Sequence, residues 1–316
     1  MHTNLKTTHP AEALISGSLP LLCPSCRSTL HIEGMALTCD SCRSEFQIVG
    51  GFPDLIVGER FEDETSESKM AYEESSNADL TQNYFLPLFR ELWPGRQRSP
   101  RLLSLGCGTG VDVDVLNREG FECYGIDCGK RTEVWSRREQ KHRLMLANGK
   151  HLPFADATFD AVFCGCVFPH VGVVGDSSKI AGDCGEQRYS LAKEMSRVLK
   201  SDGRILVSSP NRLFPLDLFH GREEGSLRPR LNWPGNRFLL SVGDYARMFG
   251  AAGCTGPVRA LPVRGYWGFI RSRRSARGFL LGLPVRALFW MTMTIKFLRG
   301  SPLDPWLVLL IEKSAR

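Results

Sequence analysis

The sequence predicts an α/β fold in which a sheet of strand–turn–helix units follows a small cysteine-rich module. Residues 101–127 read as an apolar strand, a glycine-rich turn, a helical pattern and a second strand. Apolar strand patterns and helical patterns then alternate along the chain, which favours a parallel sheet covered by helices. Two closely spaced cysteine pairs precede this region. A chain of 316 residues can bury a large core and divides into more than one domain.

The glycine-rich turn has the features of a nucleotide-binding βαβ unit. Gly106, Gly108 and Gly110 let the backbone turn tightly and approach a ligand, and the following helix begins with free N–H groups. Asp127 ends the second strand, where a carboxylate accepts hydrogen bonds from both ribose hydroxyls. A dinucleotide fingerprint requires its third glycine at the position of Val111, which argues against NAD.

The GCGTG turn together with Asp127 resembles the S-adenosylmethionine (SAM) site of class I methyltransferases. The stretch ANGKHLPFADATFDAVFCGCVFPHV, at residues 147–171, carries a second pattern of that family. The resemblance implies a seven-stranded Rossmann-like sheet whose seventh strand is antiparallel, and SAM as the cofactor. Ser104 departs from the family, which often has an acidic residue there, and Asn148 stands where many members have aspartate. The implied cofactor-binding residues are Gly106, Cys107, Gly108, Thr109, Gly110, Asp127, Asn148 and Gly149.

The cysteine pairs have the spacing of a zinc ribbon. Cys23 and Cys26 are followed after twelve residues by Cys39 and Cys42, and a hairpin between the pairs brings four thiolates into a tetrahedron. Four cysteine ligands leave zinc no open position, so the predicted Zn²⁺ is structural. The module resembles ribbons that are fused to, or partnered with, methyltransferases, including some that act on rRNA and tRNA. In those proteins the ribbon is a structural or docking module.

These patterns divide the chain into four parts. We expect a disordered tail at 1–18, the zinc ribbon at 19–58, a linker and leading helix at 59–98, and the methyltransferase domain at 99–316. The acidic stretch 59–80 predicts a linker or mobile cover because it has few apolar residues. Two insertions, at 212–240 and 264–304, extend the catalytic domain, and Trp306 to Glu312 is the predicted seventh strand.

Candidate acceptor-site residues follow the fourth and fifth strands. His170 is placed at the crevice edge, and it is a candidate general base because an imidazole ordinarily titrates near neutral pH; packing within its own loop is the alternative. Phe214, Asp217 and His220 in the first insertion are candidate pocket residues. The alternative there is a surface excursion held by aromatic packing.

The second insertion carries the positive charge of the chain. Residues 265–316 hold nine Lys/Arg and two Asp/Glu, a net charge of +7, so the first 264 residues sum to −1 within the total of +6. Three interpretations compete for residues 265–304: a helical lid on the acceptor site, peripheral contact with a membrane surface, and RNA binding, in that order. The sequence shows no secretory signal and no apolar run long enough to cross a bilayer, which predicts a cytoplasmic protein.

Three functional hypotheses follow. The first is methyl transfer from SAM to a small-molecule or lipid-linked acceptor. The second is an rRNA or tRNA methyltransferase that uses the ribbon to dock its substrate or a partner. The third is a non-catalytic SAM-binding or interaction protein, which Ser104 and Asn148 keep open. The sequence makes no prediction about the accepting atom or the oligomeric state.

Overall fold

A computed structural model describes residues 19–61, 65–95, 98–175, 177–217, 230–233, 235–266 and 282–314. Outside these ranges lie the predicted tail, residues 218–229 and 234 of the first insertion, and residues 267–281 of the second insertion. The described strands are β1 (Leu30–Glu33), β2 (Ala36–Cys39), β3 (Glu45–Val49), β4 (Phe52–Leu55), β5 (Arg101–Leu105), β6 (Glu122–Asp127), β7 (Leu144–Ala147), β8 (Phe159–Gly165), β9 (Leu199–Pro210), β10 (Leu216–Asp217), β11 (Arg230–Leu231), β12 (Val258–Ala260) and β13 (Trp306–Glu312).

Helices connect and flank these strands. The α-helices are α1 (Glu67–Leu80), α2 (Leu86–Leu92), α3 (Val111–Arg118), α4 (Cys184–Val198), α5 (Val242–Ala251) and α6 (Leu283–Thr294). A π-helical segment, Thr81–Phe85, joins α1 to α2, and short 3₁₀ segments cover Lys130–Arg137, Lys141–Arg143, Phe168–His170 and Lys296–Leu298.

Eleven strands form one mixed sheet in the order β1-β2-β3-β4-β7-β6-β5-β8-β9-β13-β12. The predicted number of seven is therefore wrong. The strands from β7 to β12 in this order make the seven-stranded arrangement that the resemblance implies, and β13 runs antiparallel to both of its neighbours. The four additional strands belong to the cysteine-rich module, because β4 pairs in parallel with β7 and the module's hairpins continue the sheet outward.

The central strands are buried on both faces. Successive side chains of β5 alternate between two hydrophobic clusters, since residues of a strand point to opposite sides of the sheet: Leu103 and Leu105 contact one cluster and Leu102 the other. The first cluster includes α4, α5 and the core of the cysteine-rich module. The second includes α2, α3 and Trp135. One continuous sheet thus carries both the cysteine-rich module and seven strands that follow it in the chain.

The stretch 59–80 differs from its predicted linker character, because residues 67–80 form helix α1. Ser66 caps the helix, its hydroxyl accepting a hydrogen bond from the Lys69 amide at 3.3 Å. Two glutamates of α1 form ion pairs beyond β6: Glu73 with Arg131 of the 3₁₀ segment, and Glu74 with Arg138, which directly follows that segment. The helix has only a weak apolar stripe, so hydrophobic periodicity does not reveal it. Charge pairing with a distant segment holds it in place.

The described part of the chain contains no helix that is long and apolar enough to cross a membrane. The longest described helix after residue 265 is α6, at twelve residues. A bilayer-spanning helix needs about 20 apolar residues.

Candidate functional site

The glycine turn begins directly where β5 ends. Gly106, Gly108 and Gly110 have φ angles of 70°, 55° and 74°, a left-handed region that side chains with a Cβ rarely adopt. A Cβ on Gly106 would also lie 2.5 Å from a methyl carbon of Val167. The turn therefore requires glycine both for its backbone conformation and for its close approach to the loop after β8. Gly110 is the N-cap residue of α3.

Asp127 lies against this turn, as the sequence predicts for a ribose-binding carboxylate. One of its oxygens accepts a hydrogen bond from the Gly108 amide at 2.7 Å. The other accepts from the amides of Cys128 and Gly129 at 2.7 and 2.8 Å. These three bonds hold the carboxylate beside the turn at the carboxyl end of the sheet, where ligands bind in open α/β folds.

Asn148 follows β7, the strand next to β6, so the structure places it near Asp127. Its Oδ1 accepts a hydrogen bond from the Lys150 amide at 3.0 Å. Its Nδ2 donates to the carbonyls of Val57 and Glu59, at 3.4 Å each. The carbonyl oxygen that the sequence assigns to adenine recognition thus already has one donor, and a second lone pair remains.

The remaining turn residues are buried. Burial raises the pKa of the Cys107 thiol well above its usual range, so this thiol stays protonated and is no nucleophile. The Thr109 hydroxyl is buried and has no hydrogen-bond partner among the described residues. The carbonyl of Gly108 accepts a hydrogen bond from the indole N–H of Trp135 at 2.8 Å. The oriented Asp127 carboxylate at the end of β6 fits the ribose hydroxyls of a SAM molecule.

Gly149 has a packing reason of its own. A Cβ there would lie 2.7 Å from a methyl carbon of Leu191 on α4. The glycine therefore allows α4 to pack closely against the chain that leaves β7.

A buried carboxylate beside Ser104 escaped the sequence analysis. Asp112, in the first turn of α3, accepts a short hydrogen bond from the Ser104 hydroxyl and a second from the Val113 amide at 2.9 Å. Burial raises the pKa of Asp112 to about 6, against the opposing effect of these hydrogen bonds. Residue 104 is therefore not itself acidic, but its hydroxyl is hydrogen-bonded to the Asp112 carboxylate of helix α3. Nothing in the local pattern reveals this, since an acidic residue in a first helical turn usually complements the helix dipole.

The four predicted metal ligands converge. The sulfur atoms of Cys23, Cys26, Cys39 and Cys42 all lie within 4.8 Å of one another. Each pair lies on a tight turn: the amide of Arg27 donates to the carbonyl of Cys23 at 2.7 Å, and the amide of Arg43 to that of Cys39 at 2.9 Å. Hydrogen bonds from Ser28 lower the pKa of Cys26 to about 6. Four convergent sulfurs, one with a low pKa, form a donor set that fits zinc.

His170 and Asp217 belong to one connected cluster. The His170 ring lies edge-on to Phe238, with centroids 6.1 Å apart, and Arg230 lies over the same Phe238 ring at 4.7 Å. Arg230 in turn pairs with the buried Asp217 at 3.0 Å. This pairing favours a structural role for Asp217 over the predicted pocket role. Phe214 is buried nearby.

His220, the third residue predicted for the acceptor pocket, lies outside the described residues.

A family model described as a methyltransferase domain matches residues 103–207. This segment is therefore similar to methyltransferase domains. It contains all of the predicted cofactor-binding residues and His170, whereas the acceptor candidates Phe214, Asp217 and His220 follow it in the chain.

Curated relatives of the methyltransferase domain share part of the chain. A probable S-adenosylmethionine-dependent methyltransferase of Mycobacterium tuberculosis is 28% identical over 130 residues, which are 39% of this chain and 42% of that protein. Glycine N-methyltransferase of Rattus norvegicus is 31% identical over 126 residues, 35% of this chain and 40% of the enzyme. The chain thus spans less than half the length of these relatives.

Among solved structures, phosphoethanolamine N-methyltransferase 2 of Haemonchus contortus aligns with a TM-score of 0.48 and 15% identity. The alignment covers 79% of this chain and 58% of that chain.

The raised pKa of Asp112 predicts a pH-dependent stability. The folded state binds this proton more tightly than the unfolded state, whose aspartate pKa is about 3.9, so the free energy of unfolding falls as pH rises from about 4 to about 6 and is flat above. Across this window the free energy of unfolding of the wild type should fall by about 2–3 kcal/mol relative to that of Asp112→Asn, which is a large effect for one group. Urea denaturation at several pH values measures the difference.

Ser104→Ala provides the control. The Ser104 hydroxyl lowers the pKa of folded Asp112, so its removal should extend the upper end of the same window to higher pH, while the lower end, set by the unfolded state, stays in place. Parallel pH profiles for wild type and Asp112→Asn would contradict the assignment.

Proposed function

We propose that the chain is a SAM-dependent methyltransferase that acts on a small-molecule or lipid-linked acceptor. The observation that carries the proposal is the hydrogen bond between the Asp127 carboxylate and the Gly108 amide. It joins the carboxylate predicted to bind the ribose to the glycine turn predicted to approach the cofactor, within the segment that matches the methyltransferase domain model.

In this proposal each part of the turn has one task. The backbone from Gly106 to Gly110 approaches the cofactor closely because no side chain stands in the way. Asp127 accepts the ribose hydroxyls, and Asn148 Oδ1 with the backbone of Gly149 contacts the adenine. When bound, SAM supplies a methyl group already activated by its sulfonium. The protein then holds the acceptor in line behind that methyl group, in a site that excludes water.

His170 is the proposed general base for an acceptor that must lose a proton. It ends the 3₁₀ segment after β8, and its amide donates to the carbonyl of Val167 at 2.9 Å. Val167 is the residue that contacts Gly106, so the loop that carries His170 is packed on the turn. An amine acceptor that is already neutral needs no base at this position.

Exposed apolar side chains in the second insertion support a lipid-linked acceptor. Trp290 on α6 is 62% exposed and Phe297 is 81% exposed, while α6 buries only Phe289 and Thr292. Arg286 and Lys296 lie on the same stretch of chain. A lid packed on the acceptor site would bury its apolar face. Exposed aromatic residues beside basic ones instead fit the boundary between lipid headgroups and acyl chains.

RNA methylation is the second candidate function. Mouse probable tRNA methyltransferase 9B is 30% identical over 135 residues, 40% of this chain and 27% of that protein. RNA affinity depends on many phosphate contacts, whereas the first 264 residues sum to a charge of −1. The charge distribution therefore ranks RNA below a small or lipid-linked acceptor, and a non-catalytic SAM-binding protein is the third candidate.

The four cysteines are proposed to hold a structural zinc ion. Cys23 and Cys39 are buried in the same cluster as the catalytic core, so the metal would stabilise the whole chain rather than a separate module.

Isothermal titration should show that the wild-type chain binds SAM. Asp127→Ala should weaken this binding about ten- to a hundredfold, because it removes a charged partner worth about 1.5–3 kcal/mol per hydrogen bond. Glu33→Ala, which removes an exposed carboxylate from β1, should bind SAM as the wild type does. Absence of SAM binding by the wild type would overturn the proposed function.

Metal removal should destabilise the entire chain. We expect one zinc per chain by elemental analysis, and a chelator should lower the midpoint of a single thermal transition, since the ribbon and the catalytic sheet share one core. Cys42→Ser should lose the metal. Two separate transitions, with the later one unaffected by the chelator, would contradict this expectation.

The acceptor class is tested by methyl transfer from labelled SAM into fractionated cell extract. Label should enter the small-molecule or lipid fraction. Trp290→Ser combined with Phe297→Ser should reduce lipid labelling severalfold and leave SAM affinity unchanged, because both side chains are exposed and distant in sequence from the glycine turn. Label in RNA would select the second candidate function, and SAM binding without any label would select the third.

A further inference from the structure

We propose that strand β4 of the cysteine-rich module is part of the cofactor site, and that Phe52 is a positioning residue that acts on the glycine turn through Trp135. This inference rests on the proposed SAM-dependent function. It assigns to the module a role in cofactor binding in addition to its structural role.

The first line of contact runs from β4 to the turn. The Phe52 ring packs edge-on against Trp135, with centroids 5.3 Å apart and an interplanar angle of 68°. Both side chains are buried. The indole N–H of Trp135 donates to the Gly108 carbonyl at 2.8 Å, and the amide of Gly108 donates to Asp127. A displaced Phe52 ring therefore releases the indole that orients the peptide planes on both sides of Gly108.

The second line of contact reaches Asn148. Because β4 pairs in parallel with β7, the chain that leaves β4 passes the end of β7. The carbonyls of Val57 and Glu59 accept hydrogen bonds from Asn148 Nδ2, and the Glu59 carboxylate pairs with Lys150 at 2.9 Å. Because these two carbonyls accept only from the nitrogen of the Asn148 side chain, they fix the orientation of its amide group. The acceptor Oδ1 therefore points in one direction.

The module cannot shift without moving β4. The Leu22 amide donates to the Pro153 carbonyl at 2.9 Å. Arg27, on the first cysteine turn, pairs at 3.2 Å with the buried Glu194, which also accepts from the Leu152 amide at 2.9 Å. The first cysteine turn is thus joined to the segment Leu152–Pro153 and to helix α4. Cysteine turns of a small module need their metal to keep their shape.

Metal and SAM should consequently stabilise one another. If the four thiolates hold the module, and the module holds both Gly108 and Asn148, then metal loading favours the conformation that binds SAM. Linkage requires the reciprocal effect, so bound SAM must raise the affinity for the metal by the same factor by which the metal raises the affinity for SAM.

The contact is tested by two substitutions in the full chain. Trp135→Phe keeps an aromatic ring against Phe52 and removes the indole N–H, while Phe52→Leu keeps an apolar side chain and removes the ring contact. Each should raise the Kd for SAM about three- to tenfold, the effect of one lost hydrogen bond or its geometry, and leave the acceptor KM unchanged. Val49→Ala, at a 51% exposed position of β3, is the control within the same module.

The two variants should also fail to add. Both substitutions act through Gly108, so their effects on SAM binding should overlap. The Kd of the double variant for SAM should be at most about twice the larger of the two single-variant Kd values. Thermal unfolding identifies a variant that has lost its fold. If Phe52→Leu does not fold, Trp135→Phe still tests the contact.

The reciprocal effect is measured with zinc alone. At equilibrium with a chromogenic chelator, the zinc affinity of the wild-type chain should be severalfold higher with saturating SAM than without it, and this gain should be smaller in Phe52→Leu. Wild-type SAM affinity in both variants, or a zinc affinity that SAM does not alter, would overturn the inference while the proposed function stands. A wild type that fails to bind SAM would overturn both.

Discussion

The backbone conformation of the glycine turn is the constraint on which the candidate site depends. Three left-handed residues reverse the chain at the end of β5, and only glycine allows the loop after β8 to pack against Gly106. The reversal directs the Gly108 amide toward Asp127 and starts α3 at Gly110. The proposed cofactor site, the loop after β8 and helix α3 thus meet at one short segment of backbone.

The parallel pairing of β4 with β7 gives the cysteine-rich module its position. An edge strand exposes unpaired backbone groups, and covering the edge of β7 satisfies them. The same pairing brings Phe52 to Trp135 and the chain after β4 to Asn148. A module that resembles a separate docking unit in sequence is, in the folded chain, continuous with the catalytic sheet.

The acceptor side is built from segments that are far apart in sequence. His170, Arg230 and Asp217 meet around Phe238, and the buried ion pair fixes the base of the first insertion. The second insertion instead leaves Trp290 and Phe297 exposed. One insertion therefore serves the stability of the site, and the other offers an apolar surface. This contrast follows from burial, since both insertions contain aromatic and basic residues.

The sequence by itself determined the features that depend on local pattern. The glycine spacing, the strand that ends on Asp127, the spacing of the four cysteines and the bounds of β13 each require only neighbouring residues. Tertiary structure alone decided the contacts that join distant segments: the acid that Asp112 supplies to Ser104, the ion pairs that order α1, and the packing of Phe52 on Trp135. The sequence does not predict these contacts, because the local sequence around each partner is compatible with its helix, strand or turn whether or not the contact forms.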